Sequence, residues 1–284
     1  MDNRINSSPT DPPRDDRVLS ITRLLAAAVI PFLVAAFLIL YLSPEDTTDL
    51  FAWSIASPLT TSLMGAGYLG GAYFFARVLT GDQWHRVGGG FPAVAVFTAV
   101  MLAATLLHWD TFDPGHWPFL VWLAIYIVTP AIVPAVWWIN RRRDPVMPEA
   151  AVGLLPPQAG WFLLLAGLIL AGSAAFLFLW PAAAIDLWPW PLTPLTARVL
   201  AGWLALLAAG ALAMARERRW SGWRIPVQSI LLWQILLLAA FYLRRDAFGP
   251  AGPVNWYTGF TLLGVVASAT FYLLMERRRR SVEP

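Results

Sequence analysis

The 284-residue chain has no cysteine, no lysine and only three histidines, and charged residues make up 13% of it. Without cysteine there is no disulfide scaffold, zinc ribbon, iron–sulfur centre or thiol nucleophile. Without lysine there is no Walker A phosphate clamp, no pyridoxal-phosphate or retinal Schiff base and no Ser–Lys dyad. No GxSxG elbow, HExxH pair, DxDxG calcium loop or GxGxxG turn occurs either, so none of the common catalytic signatures is present. The absence of lysine fits a GC-rich genome and hence a bacterial plasma membrane. What the chain has in excess is apolar surface: 58% hydrophobic residues and 16 Trp, with a mean hydropathy of +0.60. These values do not describe a soluble domain.

A helix needs about 20 mostly apolar residues to cross a hydrocarbon core roughly 30 Å thick. Eight segments meet that need, at 22–43, 53–79, 89–108, 117–139, 158–180, 194–215, 225–243 and 256–275. The predicted fold is therefore all-α, a polytopic integral membrane protein with eight transmembrane helices. Residues 1–20 are rich in Asp, Arg and Pro and read as a disordered tail. The first span lacks a small-residue cleavage site and reads as a retained helix.

Eight crossings put both termini on one side. On that side fall 17 arginines, including Arg141 to Arg143 and Arg277 to Arg280; only Arg198, Arg244 and Arg245 fall on the other. The positive-inside rule makes the arginine-rich side cytoplasmic. The net charge of +3 thus reports topology. The expected partners are anionic lipid headgroups on the cytoplasmic side, and a membrane-protein partner or a second copy of the chain, not nucleic acid.

An internal duplication is the most specific signal. Pro44, Asp49, Leu50 and Trp53 recur 137 residues later as Pro181, Asp186, Leu187 and Trp190. After one gap the offset becomes 136: Pro58-Leu59-Thr60 matches Pro194-Leu195-Thr196, Trp84 matches Trp220, Asp110 and Phe112 match Asp246 and Phe248, and Arg141 to Arg143 match Arg277 to Arg279. Chance alignment of leucines would not hold Pro, Asp and Trp in register over such a length. The organisation predicted is a tail (1–20), a first four-helix repeat (21–143), a cytoplasmic linker (144–159), a second repeat (160–280) and a short end (281–284). Four spans per copy is an even number, so the repeats enter the bilayer the same way and are parallel. Facing copies would bring Asp49 toward Asp186 and Asp110 toward Asp246 around an outer vestibule.

Arg198 lies about one turn inside the sixth span, where the first copy has Ser62. A guanidinium in hydrocarbon needs a partner or a wet cavity. Asp186 or Asp49 could supply the carboxylate, and with Asp110 and Asp246 these residues form the candidate ligand site, Arg198 being its anion-binding floor. The commoner use of such an arginine is snorkelling or a structural ion pair. The loop holding His108, Asp110, Asp113 and His116 has donors suited to a divalent metal. The stronger reading makes Asp113 the N-cap of the fourth span, with Pro114 in its first turn and Trp109 and Trp117 at the interface. The second copy keeps Asp246 yet carries Arg244-Arg245 in place of His108-Trp109, where no metal could be held. The three histidines give no bis-His pair for haem, and no cofactor is expected. Gly67 and Gly71 share one face of the second span and mark close packing.

Three functions fit these features. Binding or transport of a small lipophilic or anionic ligand between the repeats, without enzymatic chemistry, ranks first. A structural subunit of a membrane complex ranks second, and a membrane enzyme acting on a lipid-linked substrate at the outer face third.

Overall fold

The computed structural model describes residues 15–145, 153–247 and 254–281. The tail through residue 14, residues 146–152 of the expected linker, residues 248–253 with the repeat's Phe248, and the last three residues lie outside the described residues. Eight long helices run through the rest: α1 (Ser20–Phe37, continued by a π-helical turn Leu38–Leu42), α2 (Pro58–Thr80), α3 (Phe91–Leu107), α4 (Trp117–Arg143), α5 (Pro157–Leu179), α6 (Pro194–Arg216), α7 (Trp220–Leu243) and α8 (Val254–Arg280). Among the described residues there is no β-strand, only two isolated bridges. Seven of the eight helices are long and apolar enough to cross a membrane. Their outward faces carry bare apolar side chains, with Trp161, Phe162 and Phe260 each at least 70% exposed. Such a belt suits lipid better than water.

The exception is α2. It is 23 residues long, about 35 Å at 1.5 Å per residue, but its Thr, Ser, Gly and Tyr dilute its apolar character. It is also the most enclosed helix, with 15 of its 23 residues buried. The two facts are connected: a helix surrounded by protein need not please lipid, and its polar groups find partners on its neighbours. Thr60 Oγ1 accepts from Trp190 Nε1 at 2.8 Å, the Leu63 carbonyl accepts from Trp233 Nε1 at 3.0 Å, the Gly70 carbonyl accepts from Ser229 Oγ at 2.7 Å, and the Tyr73 hydroxyl donates to Gln228 Oε1 at 2.6 Å. All four partners come from beyond residue 180.

Each half consists of two hairpins. α1 packs on α2 and α3 on α4; α5 packs on α6 and α7 on α8. Across the halves α3 packs on α6 and α2 on α7. Local features repeat at the spacing read from the sequence. Ser57 accepts from Thr60 N at the start of α2 and Thr193 from Thr196 N at the start of α6, each followed by a proline in the first turn. The Arg17–Gln83 bridge has a counterpart in Leu154–Arg219. The Val18 amide donates to the Asp82 carbonyl as the Leu155 amide does to Arg218. Single turns Trp109–Thr111 and Arg245–Ala247 follow α3 and α7.

Three local readings change. Residues 15–19, assigned by composition to a disordered tail, are clasped to the α2–α3 connection: Trp84 N donates to the Asp16 carbonyl at 2.7 Å, and the Asp16 carboxylate receives the His85 amide and pairs with the His85 ring. The connections after α1 and α5 contain short helices, Thr47–Leu50 and Pro181–Leu187, rather than plain loops. The N-cap of α4 is His116, with Pro118 in the first turn; Asp113 instead closes a tight turn by accepting from Gly115 N at 2.7 Å.

Candidate functional site

The innermost part of the fold lies where α2 meets α6. Gly67 on α2 faces Trp203 on α6 so closely that a β-carbon on Gly67 would come within 2.5 Å of the indole. These two residues are 136 apart, so they are each other's counterparts in the sequence repeat. The indole fills the hollow its counterpart leaves. Tyr68, Phe97 and Trp233 surround it with ring centroids at 5.0, 4.6 and 5.2 Å, in the tilted and edge-on arrangements aromatic quadrupoles favour.

Beside this cluster is a cavity of about 150 Å³. α2 supplies the glycine face Gly67, Gly70 and Gly71, α3 and α4 supply Thr98 and Tyr126, and α6 and α7 supply Trp203 and Ser229. Both halves of the chain therefore form its walls. The lining is overwhelmingly apolar, and its polar groups are few and mostly satisfied: the Tyr68 and Tyr126 hydroxyls pair at 3.1 Å, and Ser229 Oγ is committed to the Gly70 carbonyl. One group is not. The Trp203 N–H is buried and has no acceptor among the described residues. A buried donor without a partner costs about 1–3 kcal/mol, and in a residue that helps line the cavity it asks for an explanation.

A polar chain runs inward from this region. Tyr73 donates to Gln228, whose Nε2 donates to the Tyr272 hydroxyl at 2.8 Å. Arg224 pairs with Glu276 at 2.9 Å, and Trp220 Nε1 donates to the same carboxylate at 2.9 Å. Glu276 is 6% exposed. Between α6 and α7, Glu217 accepts from the Arg219 amide and side chain. Burial alone would raise the Glu217 pKa, but the Arg219 hydrogen bonds and charge, aided by His85, hold it below the ordinary carboxylate value.

The residues singled out by sequence lie elsewhere, at the end of the bundle away from the arginine-rich helix ends. Arg198 meets neither Asp49 nor Asp186. Its Nε donates to the Phe178 carbonyl at 3.0 Å and its Nη1 to His108 Nε2 at 2.7 Å. His108, just past the end of α3, has its pKa lowered by burial and then by the Arg198 charge, so the ring is a neutral acceptor. Asp49, Asp110, Asp186 and Asp246 are all exposed in the connections between long helices, and none makes a side-chain hydrogen bond or ion pair among the described residues. His116 turns to the Phe51 carbonyl at 2.9 Å, away from His108's partner. Among the described residues no three His, Asp or Glu side chains gather as a metal would require.

Sequence reasoning singled out the glycine face of α2 but not Trp203, Tyr126 or Glu276. A signal for the first existed: within the repeat a tryptophan stands where its counterpart is glycine, which is how two like helices interlock across their shared contact. Compared with known proteins, the chain matches no family model, no curated protein and no solved structure.

Proposed function

We propose that this chain is a plasma-membrane protein that crosses the bilayer eight times, built from two parallel four-helix repeats with both termini cytoplasmic. Between the repeats it binds a small apolar molecule carrying one hydrogen-bond acceptor, without chemistry of its own. The observation that carries the binding reading is the cavity on the Gly67–Trp203 contact, with its apolar lining, beside an indole whose N–H is buried without a partner among the described residues. A dry pocket of this size takes a molecule of about benzene's bulk, and a lone donor adds a preference for a carbonyl or ether oxygen. The duplication is supported by the paired caps, bridges and turns at the two offsets read from the sequence, 137 before the gap and 136 after it. It is further supported by the exchange of helix contacts between halves, in which α3 on α6 becomes α7 on α2, and by the meeting of Gly67 with its own counterpart. Self-contact of equivalent residues is what a two-fold axis produces.

The ligand reading is tested by melting the purified chain in detergent with cyclohexanone and with methylcyclohexane, two probes of similar shape of which only the first has an acceptor. A ligand that binds only the folded state raises Tm by mass action. Both should stabilise the wild type, cyclohexanone more. Trp203→Phe should erase the difference between them. Gly210→Leu should abolish both shifts, because a β-carbon on Gly210 has only Ala93 near it, at 3.6 Å, and the added side chain then occupies the space. No shift in the wild type, or an undiminished one in Gly210→Leu, rejects the reading.

The crossing pattern has its own test, made clean by the absence of native cysteine. Single cysteines at Thr111 and Asp186 should react with a membrane-impermeant maleimide on intact cells, whereas those at Gln83 and Ser281 should react only after permeabilisation. Were α2 not to cross, Gln83 would label from outside and Thr111 would not.

A further inference from the structure

On the lipid-facing side of the bundle, where α3, α5 and α6 meet, lies a second and larger hollow, an open groove of about 620 Å³. Its floor is the Ala201, Ala205 and Ala208 face of α6, flanked by Ala99 of α3 and Ala174 of α5. Arg198 is three residues before Ala201 and so on the same helical face, one turn further out. Its guanidinium lies over the ring of Phe178, which lines the outer end of the groove, at 5.8 Å. Among the described residues no carboxylate pairs with it. His108, its side-chain partner, is held neutral by burial and by Arg198 itself, so the mouth of the groove carries a full positive charge beside an apolar channel.

The corresponding place in the first half carries larger side chains at four positions. At the repeat offset, Ala99, Ala174, Ala205 and Ala209 answer to Ile235, Phe37, Leu69 and Tyr73. Arg198 answers to Ser62 and Phe178 to Tyr41. Tyr41 leans against Gly65, and its hydroxyl donates to the Leu236 carbonyl at 2.7 Å, bridging the two walls. The first half also has a guanidinium here, Arg244 Nη2 donating to the Tyr41 carbonyl at 2.6 Å as Arg198 Nε donates to that of Phe178; what sets the second half apart is the smaller side chains along the groove.

We infer that the α3–α5–α6 groove holds one acyl chain of an anionic phospholipid of the outer leaflet, with its phosphate on the Arg198 guanidinium. Charge selects the occupant: an apolar channel open to the bilayer takes any acyl chain, but a cation unpaired with a carboxylate at its mouth discriminates by headgroup. The comparison between halves rests on the duplication proposed above; the groove and its arginine do not depend on the central cavity.

Native mass spectrometry of the full chain, loaded with equal amounts of phosphatidylglycerol and phosphatidylcholine bearing identical oleoyl chains, decides the matter. The wild type should retain one phosphatidylglycerol in about fivefold preference, the scale of one basic residue at a membrane surface. Arg198→Gln should keep bound lipid but bring the ratio to about one. Ala205→Leu, which fills the floor, should lose lipid of both kinds. Equal retention by the wild type, a preference that survives Arg198→Gln, or inorganic phosphate binding as tightly as phosphatidylglycerol would overturn the inference. If Arg198→Gln does not fold, wild-type retention of phosphatidylglycerol by Ala205→Leu overturns it alone. The lipid ratio reads the groove and cyclohexanone stabilisation reads the central cavity, so either reading can fail without the other.

Discussion

Trp203→Ala should lower the unfolding free energy by about 3–5 kcal/mol, the cost of emptying a large aromatic site whose walls relax only in part. The indole is 4% exposed and sits among Tyr68, Phe97 and Trp233, rings contributed by three other helices. Lipid would solvate an unfolded indole well, so the loss here is mainly of close packing between helices and not of shelter from water. The partner variant sharpens the test. Gly67→Ala places a β-carbon 2.5 Å from the indole and should cost about 1–3 kcal/mol by overpacking. In the Trp203→Ala background the same change should cost almost nothing, since the atoms it strikes are gone. Such strong non-additivity is expected only of residues in direct contact. Additive losses in a denaturation cycle would show that α2 and α6 do not meet at this point.

The helices were legible for different reasons in different places. Seven are long apolar runs and declare themselves by length. α2 is weaker as an apolar run, and its expected start at residue 53 is five residues early: the helix begins at Pro58, capped by Ser57 as Thr193 caps α6, a hydroxyl followed by a ring with φ already set for helix. Its glycines announced close packing; what they pack against did not follow, because Trp203 and Tyr41 are reached through tertiary folding and not through spacing. The partner of Arg198 escaped for the same reason. An arginine suggests a carboxylate, and Asp186 is the nearest in sequence, yet α3 crosses to the other half and delivers His108 and its lone pair to the guanidinium. The end of α8 escaped for another. Hydropathy falls at residue 275, but the helix continues to Arg280, because its terminal arginines suit both the helix dipole and the inner interface. Glu276 is therefore inside the helix and buried, not beyond its end. The central cavity was not legible at all, since six helices contribute its walls and no one of them shows it.

That buried carboxylate supports the second large prediction. Glu276 has a side chain only 7% exposed and faces Arg224, 30% exposed, at 2.9 Å, with Arg279 at 3.5 Å. Trp220, itself 1% exposed, donates its indole N–H to the same carboxylate. The two ions are unequally placed. Arg224→Leu strands a charge that cannot reach water, and losing one partner of a buried pair typically costs about 3–5 kcal/mol; Arg279 offsets part of it. Glu276→Leu strands instead a guanidinium near the inner surface, on a stem long enough to snorkel, so its loss should be smaller, nearer the roughly 1–3 kcal/mol of one unanswered buried donor, here the Trp220 N–H. Arg224→Leu with Glu276→Leu should then be more stable than Arg224→Leu alone, because the second change removes the charge the first exposed. A denaturation cycle reads this directly. The pair is coupled if the double variant departs from the sum of the singles by more than about 0.5 kcal/mol. Additivity would mean that Arg279 and Trp220 satisfy the carboxylate without Arg224. The counterpart of Glu276 in the first half is Asn140, also buried, which accepts from the Leu19 amide and donates to the Val136 carbonyl and to Thr22 Oγ1. A neutral amide with its partners in place does there, at the same turn of the fourth helix, the tethering that a charged pair does in the second half. Glu276→Asn should therefore be better tolerated than Glu276→Leu only if Arg224 is removed with it.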